Sequence, residues 1–550
     1  MSGFFGFFNR SGRPAEQGIA DTMLEAASYW DPDERGLQKN GPAAVGHAML
    51  WNTPESKHEH LPLQRNGLML TMDARIDNRD ELAGQLELPD RPTEQIGDSE
   101  FILAAYRKWG EKCPKHLLGD FAFAIWDAEK EKLFCARDHM GVKPFYYYMI
   151  DDLFVFSNDL RVLLKFPGIP KTCNDDAVAI YLDKGELWHP VMTFYKAIKK
   201  LPPATALSLS GASSDFRTYW RLEEIRRTEN KTFAEYKSTL QALLKDAVNV
   251  RLRTSYPVAS HLSGGLDSSA VSVLAARSLA AKQKTLKAYS WVAAPGEKDD
   301  PRYFEWANSH QIAQAEKIDF EHIDLDEGTL TEIFTRHDIS LNDTTDLWYE
   351  FILRKSASKH NIRTVLSGWG GDEFITYHGR AFYADLFRQG NIAAVLKGIW
   401  QECAKAKSRK RCVIRRCYRE LFLPLLPKRL LCFMPKVHCD SSDYLLCARN
   451  DLAQKIRKHR ALTTYKYQKS IDSDQLCLHR QGHLLCRLES WRASAFESRL
   501  EYSFPLLDKR IVEFALSLPA TMYYHNGITR YLYRHAVTGI LPENIQWGDF

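Results

Sequence analysis

Hydrophobic and polar positions divide the chain into two regions with different patterns. In residues 1–215, short apolar runs alternate with polar turns, which predicts mostly β structure. The runs at 118–127 and 133–138 are predicted to pair as a hairpin. At Asp98–Trp109 the apolar residues recur at helical spacing instead, with Asp98 and Ser99 as candidate caps. The first region therefore predicts an α+β domain.

From residue 216 onward, predicted strands and helices alternate. The predicted elements are helices at 233–253, 270–276 and 301–314 and strands at 256–261, 287–292, 322–325 and 364–366. Such alternation predicts an α/β domain with a parallel sheet that binds its ligand at the carboxyl ends of the strands. We therefore predict two domains, at 1–215 and 216–550.

Composition narrows the class of protein. The 550 residues are 45% apolar and 26% charged, as in soluble globular proteins, and the net charge of +5 does not indicate a nucleic-acid partner. No stretch reaches the roughly 20 uninterrupted apolar residues of a membrane helix, and the first residues do not form a signal peptide. Eleven cysteines without paired short spacings favour reduced thiols over a disulfide framework. We expect a cytoplasmic enzyme without a membrane partner.

A glycine-rich turn between the predicted strand at 256–261 and the helix after it carries the candidate chemistry. Residues 263–269 read Ser-Gly-Gly-Leu-Asp-Ser-Ser. Two adjacent glycines permit close approach to a ligand, and the following helix directs free N–H groups at an anion. Asp267 would repel a bare phosphate, so its presence predicts a magnesium ion that grips the phosphate oxygens. A Gly-Lys-Ser/Thr sequence is absent, so this turn is not the usual P-loop.

A second glycine-rich turn follows the strand at 364–366. Residues 367–373 read Ser-Gly-Trp-Gly-Gly-Asp-Glu and add two carboxylates. Turns at the ends of neighbouring parallel strands face one another across a ligand. Asp267 and Asp372 are therefore predicted to be paired magnesium ligands that bridge the metal to a triphosphate.

The first turn resembles the pyrophosphate loop of the ATP-pyrophosphatase (adenine nucleotide alpha hydrolase-like) enzymes, most closely the asparagine synthetase branch. The resemblance implies that ATP and Mg2+ are used to adenylate a carboxylate, that pyrophosphate is released, and that an amine attacks the acyl-adenylate. The ATP-binding residues it implies are Leu262, Ser263, Gly264, Gly265, Asp267, Ser268, Ser269, Trp291, Ser367 and Gly368. The family's catalytic lysine is expected beyond Phe550, so no residue is assigned to that role.

The first domain resembles a class II (Ntn) glutamine amidotransferase, in which two sheets lie between helices. The sequences at 119–123 and 137–141 carry this resemblance. The family uses an N-terminal cysteine as its nucleophile, but this chain has Ser2 after Met1. Where the family has Asn-Gly-Glu to hold glutamine, residues 73–75 are Asp-Ala-Arg. Both departures predict an inactive glutaminase domain, and Asp98 occupies a position of glutamine contact in the family.

Trp369 distinguishes among relatives. Ser-Gly-Trp-Gly-Gly-Asp-Glu is similar to the cyclases that build lasso peptides, which adenylate a side-chain carboxylate of a precursor peptide for attack by its own N-terminal amine. This resemblance implies a precursor peptide as substrate and a leader-binding or leader-cleaving protein as a candidate partner. The alternatives are an asparagine-synthetase-like ligase that uses free ammonia and a non-catalytic family member.

The region at 383–490 has no clear pattern. Eight of the eleven cysteines lie beyond residue 400, and residues 405–419 hold eight Lys or Arg residues. The spacing of the cysteines favours thiols over a zinc site. The basic run is typical of a solvated helix face, with an acidic precursor or partner protein as the alternative.

Overall fold

The computed structural model describes most of both predicted domains. The described residues are 2–211, 213–228, 231–291, 303–323, 331–332, 348–405, 407–426, 452, 454–456 and 468–548. Met1 and parts of three predicted elements, at 292, 301–302 and 324–325, lie outside them. None of the helices in the described ranges is both long enough and apolar enough to span a membrane.

Two six-stranded antiparallel sheets form the first domain. Their strands are β1 Gly3–Asn9, β2 Glu34–Asn40, β3 Ala43–Met49, β4 Leu63–Arg65, β5 Leu68–Ile76, β6 Gly119–Asp127, β7 Lys132–Arg137, β8 Tyr146–Ile150, β9 Leu153–Ser157, β10 Ile198–Lys200, β11 Thr205–Ser210 and β12 Ser213–Thr218. The strand orders are β10-β8-β9-β1-β3-β2 and β12-β11-β7-β6-β5-β4. The predicted hairpin is β6–β7. Because β12 ends at Thr218, the second sheet extends past residue 215.

Helices cover both outer faces of this pair of sheets. They are α1 Gln17–Ala26, α2 Arg79–Ala83, α3 Asp98–Trp109, α4 Leu160–Leu163 and α5 Asp175–Lys184. Aromatic side chains such as Phe4, Trp126 and Phe156 fill the layer between the sheets. Helix α3 has the predicted bounds, but the predicted caps are wrong, because the N-cap is Gly97 and no side chain caps it. The Asp98 carboxylate instead accepts hydrogen bonds from the backbone N–H of Ile76 and from two arginines.

A five-stranded parallel sheet forms the centre of the second domain. Its strands are β13 Val258–His261, β14 Lys287–Ser290, β15 Asp319–His322, β16 Thr364–Leu366 and β17 Glu501–Ser503, and a hairpin of β18 Tyr524–His525 and β19 Ile528–Thr529 lies outside it. The order β15-β14-β13-β16-β17 confirms the predicted parallel sheet. The strand order changes direction between β13 and β16, because β14 and β15 follow on one side of β13 and β16 and β17 follow on the other. Open α/β sheets bind ligands at such a point.

Helices pack against this sheet and extend beyond it. They are α6 Phe233–Arg251, α7 Leu266–Ala280, α8 Tyr303–Ala315, α9 Trp348–Lys359, α10 Phe382–Arg388, α11 Ile392–Glu402, α12 Arg409–Cys417, α13 Leu423–Leu425, α14 Ile471–Gln481, α15 His483–Ala495, α16 Lys509–Ser517, α17 Ala520–Tyr523, α18 Tyr531–Ala536 and α19 Glu543–Gln546. Helix α6 begins at a capping box of Thr232 and Glu235 and buries a stripe that includes Tyr236, Leu240 and Leu244.

Candidate active site

The first glycine-rich turn connects β13 to α7. Gly264 has φ +81°, and a Cβ there would lie 2.2 Å from the backbone oxygen of Glu305 in α8, so only glycine fits. No side chain caps α7 at Gly265. The first-turn N–H groups of a 15-residue helix therefore remain available for an anion at its positive end.

Two of the three predicted serine hydroxyls face the cavity beside this turn. Ser263 Oγ lies 2.8 Å from Ser268 Oγ, which also accepts a hydrogen bond of 3.1 Å from the N–H of Ser263. Both residues line the cavity. Ser269 and Leu262 are fully buried behind the cavity wall, so any support they give to a ligand comes through the shape of the turn.

The second glycine-rich turn, after β16, packs directly on the first. A Cβ at Gly368 would lie 2.5 Å from the backbone nitrogen of Ser268, and one at Gly371 would lie 2.4 Å from Asp267 Oδ2. Gly370 has φ +93° and packs against Leu507. Absence of side chains on these glycines lets the two turns meet, and Asp267 and Asp372 consequently line one cavity.

The two carboxylates have different surroundings. Asp267 is enclosed, its Oδ2 accepts a hydrogen bond of 2.8 Å from Thr376 Oγ1, and its buried Oδ1 has no hydrogen-bond partner among the described residues. Burial, followed by the neighbouring charge of Asp372, raises the pKa of Asp267 to about 8. The side chain of Asp372 is 59% exposed and lies 2.7 Å from Arg530 Nη2.

This arrangement fits a divalent cation. An unpartnered, buried carboxylate oxygen beside a second carboxylate is costly in a low-dielectric site unless a cation joins it. In the ranges that the structure describes, no group of three or more His, Cys, Asp or Glu residues forms a complete metal site. Asp267 and Asp372 would thus supply two ligands, and phosphate and water oxygens are suited to supply the rest.

The cavity between the turns has a volume of about 330 Å³, which is within the size range of small-ligand sites. Apart from the two turns, its wall consists of His261, Trp291, Glu305, Trp369, Arg487, Trp491 and Arg530. The predicted residues Trp291, Ser367 and Gly368 all line it.

Helix α15 supplies part of this wall that the sequence does not predict. Arg487 lies over the ring of Trp369 at 5.3 Å, and Trp491 meets Trp369 edge to face at 5.9 Å. Arg487 comes from the region without a clear pattern, and Trp491 directly follows that region. Arg530 lies in a left-handed backbone conformation with φ +55°, and no local sequence signal marks it.

A buried contact between His261 and Glu350 lies at the base of the cavity. His261 Nε2 lies 3.1 Å from Glu350 Oε1, and His261 Nδ1 lies 3.2 Å from Ser367 Oγ. The His261 ring also meets Trp291 edge to face at 4.8 Å. These contacts connect the ends of β13 and β16 and orient Ser367 toward the cavity.

The corresponding site of the first domain is almost closed. The space around Ser2, Asp73, Ala74, Arg75 and Asp98 has a volume of about 30 Å³, enough for only one or two water molecules. Ser2 Oγ is held locally, because it accepts a hydrogen bond of 3.1 Å from the N–H of Leu50 and lies 3.3 Å from Met49 Sδ.

Charges from both domains fill the space next to Ser2. The buried Asp73 carboxylate contacts the guanidinium of Arg492 and lies 3.3 Å from Lys143 Nζ. Although burial favours the neutral acid, these two cations hold the pKa of Asp73 below its ordinary value. Arg492 also donates to the backbone oxygen of Ser2 at 3.0 Å, and Lys143 contacts Glu501.

Arg75 and Asp98 also take part in contacts between the domains. Arg75 Nε lies 2.8 Å from Asp77 Oδ1, and its Nη1 donates to the backbone oxygen of Arg253 at 3.3 Å. Asp98 Oδ2 lies 3.1 Å from Arg253 Nη2. Arg75 and Asp98 therefore hold the segment that directly follows α6 of the second domain against the first domain.

Comparison with known proteins agrees with this geometry. The family model described as asparagine synthase matches residues 239–549, more than half of the chain. The chain belongs to the asparagine synthetase family. A second family model, described as a glutamine amidotransferase domain, matches residues 1–220.

Three curated relatives carry the name asparagine synthetase [glutamine-hydrolyzing]. Number 3 of Bacillus subtilis is 31% identical over 48% of this chain and 43% of its own, so the chain spans less than half of that relative. Putative number 2 of Methanocaldococcus jannaschii is 31% identical over 66% of this chain and 73% of its own. Number 1 of B. subtilis is 25% identical over 99% of this chain and 85% of its own.

A solved structure described as glutamine phosphoribosylpyrophosphate amidotransferase from B. subtilis is 13% identical over 66% of this chain and 81% of its own, with a TM-score of 0.29. That score is too low to support an argument. The family assignment confirms the predicted family and the two-part fold, and it indicates an ATP-dependent amide-forming ligase.

Proposed function

We propose that this asparagine synthetase family member joins the N-terminal amine of a precursor peptide to one of the peptide's own side-chain carboxylates. In the proposed reaction, the carboxylate attacks the α-phosphate of ATP, which forms an acyl-adenylate and expels pyrophosphate. The amine then attacks the acyl carbon, AMP leaves, and a lasso-type macrolactam results.

The closed pocket around Ser2 carries this proposal. Asp73, Arg492 and Lys143 occupy the volume next to Ser2 and leave about 30 Å³, which is too small for glutamine. A ligase without an internal ammonia supply needs another amine. An amine on the same peptide meets this need, because an intramolecular nucleophile avoids most of the entropy cost of a second encounter.

The open cavity supports the adenylation step. The hydroxyls of Ser263 and Ser268 and the first-turn N–H groups of α7 are suited to bind the phosphates of ATP. Asp267 and Asp372 would hold Mg2+, which when bound neutralises phosphate charge. Arg530 lies beside Asp372 and can stabilise negative charge on the departing pyrophosphate.

The aromatic wall supports a peptide as substrate. Trp369, Trp491 and His483 form a connected cluster at the cavity edge, with Trp369 meeting His483 edge to face at 5.2 Å. Such a wall suits a larger and less polar substrate than free aspartate. A leader-binding or leader-cleaving protein is the proposed partner, the cytoplasm is the proposed location, and no nucleic acid takes part.

A second candidate is an asparagine-synthetase-like ligase that uses free ammonia. Three curated relatives favour it, since each is named as an asparagine synthetase. It requires the same adenylation site and is compatible with the closed pocket, because ammonia would come from solution.

The identity of the product separates the two candidates. Purified protein with ATP and Mg2+ would receive either synthetic candidate precursor peptides or aspartate with ammonium, and pyrophosphate release and product masses would be recorded. We expect a peptide that loses the mass of one water molecule. Asparagine formation without any cyclised peptide would favour the second candidate, and no pyrophosphate with either substrate would favour a non-catalytic protein.

A further inference from the structure

Exposed hydrophobic side chains are concentrated on consecutive helices of the second domain. Seven of the fourteen large hydrophobic side chains exposed among the described residues lie between residues 392 and 425, each 46–69% exposed. They are Ile392, Leu396, Trp400, Ile414, Tyr418, Phe422 and Leu425. We name these seven side chains and the cations among them the 392–425 surface. Exposed apolar groups concentrated in this way mark interaction sites.

Helical spacing places these side chains in two stripes. Positions 392, 396 and 400 follow the outer side of α11, while Val395 and Ile399 of the same helix are buried. Positions 414, 418 and 422 follow α12 and the π-helical turn after it, Tyr418–Phe422. The two helices meet where Arg409 lies over the Trp400 ring at 4.0 Å.

The same segment is strongly basic. Residues 391–426 contain nine Lys or Arg and two Glu, a net charge of +7, whereas the whole chain carries only +5. The rest of the chain is therefore slightly acidic. Lys410, Arg411 and Arg415 are exposed between the apolar positions.

Neither glutamate neutralises the exposed side of this surface. Glu402 pairs with Arg416 and also accepts hydrogen bonds from the hydroxyls of Tyr383 and Tyr524, both on neighbouring elements. Glu420 lies 3.0 Å from Arg419 Nη2 and 3.8 Å from Arg416 Nε. Within the described ranges, no carboxylate forms an ion pair with Lys410, Arg411 or Arg415, so these three cations add to a positive field on this surface.

We propose that the 392–425 surface binds an anionic lipid surface and holds the protein at the face of a membrane. Amphipathic helices that carry Trp, Phe, Ile and Leu beside Lys and Arg insert their apolar side chains at the headgroup boundary. Basic residues add roughly fivefold in affinity for each charge near an anionic leaflet. The stripes project from the outer sides of helices, and lipid requires no complementary shape. This proposal replaces the sequence-based expectation of no membrane partner and is independent of the proposed reaction.

Flotation of the full chain with lipid vesicles tests this assignment. Vesicles of equal parts phosphatidylglycerol and phosphatidylcholine are expected to carry the protein upward, and vesicles of phosphatidylcholine alone are not. Salt at about 1 M, where charge interactions extend only about 3 Å, is expected to weaken the binding strongly. Unbound protein with the anionic vesicles would overturn the assignment and favour an acidic protein as the occupant.

Matched variants locate the binding surface. Lys410→Glu/Arg411→Glu/Arg415→Glu is expected to lower vesicle affinity by roughly 100-fold or more. Lys245→Glu/Lys282→Glu/Lys284→Glu makes the same charge change at exposed positions elsewhere and is expected to retain most of the affinity. Equal losses in both triple variants would show that net charge acts instead of this surface, which overturns the proposal.

Apolar variants test the hydrophobic part independently. Ile414→Ser/Phe422→Ser is expected to reduce vesicle binding about tenfold or more, because two side chains leave the lipid boundary. Phe216→Ser, at a 43% exposed phenylalanine in the first domain, is the control. Wild-type protein that does not float but forms a dimer, dissociated by Ile414→Glu, would identify a second copy as the occupant and overturn the lipid assignment.

Discussion

The two candidate chemical sites of this protein differ in whether their buried carboxylates are paired with cations. In the candidate nucleotide cavity, which has a volume of about 330 Å³, Asp267 Oδ1 has no hydrogen-bond partner within the part of the chain that the structure describes. Around Ser2, Asp73 is held by Arg492 and Lys143, and about 30 Å³ remains. An unsatisfied carboxylate destabilises a fold unless a ligand completes it, whereas a paired one supports the fold without a ligand. The first site is therefore arranged for binding and the second for domain association.

Substitution of Asp267 should cause the largest loss of activity. Asp267→Asn removes the carboxylate charge while preserving the hydrogen-bond contact with Thr376, and we expect pyrophosphate release to fall roughly 1,000-fold. Steady-state pyrophosphate assays measure this loss, with Asp215→Asn on β12 as the control. Turnover within a few-fold of wild type would contradict the metal-ligand role of Asp267.

Asp73 should matter for stability more than for binding. Asp73→Asn removes the carboxylate that contacts both Arg492 and Lys143 and leaves Glu501 and, beside Arg492, Asp159 as their acidic neighbours, so we expect unfolding free energy to fall by about 3–5 kcal/mol. Urea denaturation measures this change. Asp215→Asn removes one charge from an exposed pair with Arg217 and should cost less than about 1 kcal/mol. Equal costs for the two variants would remove the distinction between the sites.

Gly371 tests the close contact between the two turns. Gly371→Ala places a Cβ 2.4 Å from Asp267 Oδ2, which is too close, so we expect turnover to fall roughly 10- to 100-fold as the carboxylate moves. Gly18→Ala, in open space on α1, should have no effect on turnover. Full pyrophosphate release by Gly371→Ala with an unchanged KM for ATP would show that the close contact between the two turns is not needed for turnover.

Acid should destabilise the interior of the first domain. Burial lowers the pKa of His139 to about 3 from its ordinary 6.5. Below pH 6.5 the unfolded chain binds a proton that the folded chain does not, so stability falls as the pH drops from 6.5 toward 3. His139→Phe should remove roughly 1 kcal/mol of this loss at pH 5.5, measured by urea denaturation. An unchanged pH slope would show that His139 is not held neutral.

Ser2 should give the smallest effect. Ser2→Cys restores the family's nucleophile, but the surrounding charges still leave no room for glutamine. We expect no glutamate formation above that of wild type in a coupled glutamate assay. Steady glutamine hydrolysis by this variant would mean that the pocket opens in solution.

Local motifs explain why the sequence predicts that the two glycine-rich turns lie at one site. Asp267 and Asp372 each follow a short buried strand, and parallel strands bring such positions to one edge of a sheet. Arg530 and Trp491 also line this cavity, yet they come from segments whose packing depends on distant parts of the chain. Residue type alone does not distinguish them from ordinary surface or core positions.

The first domain contains a contact between distant residues that the sequence does not predict. The β6–β7 hairpin and α3 follow from residue periodicity, and Ser2 with Asp73 predicts a lost glutaminase. The pairing of Asp73 with Arg492 spans 419 residues and depends on how the two domains meet. Periodicity carries no information about such a contact, so the loss of glutaminase activity stays a prediction from Ser2 and Asp73, and the charged interface beside them could not be predicted from the sequence.

The central claim is that the attacking amine comes from the peptide substrate and not from glutamine. The most direct test is whether the rate of pyrophosphate release depends on the nitrogen source. Purified protein, ATP, Mg2+ and a precursor peptide would be assayed with glutamine, with ammonium, and with neither. The account predicts the same rate in all three reactions and one cyclised peptide for each pyrophosphate. A rate that rises with glutamine and is accompanied by glutamate would contradict it, because the closed site would then supply the amine.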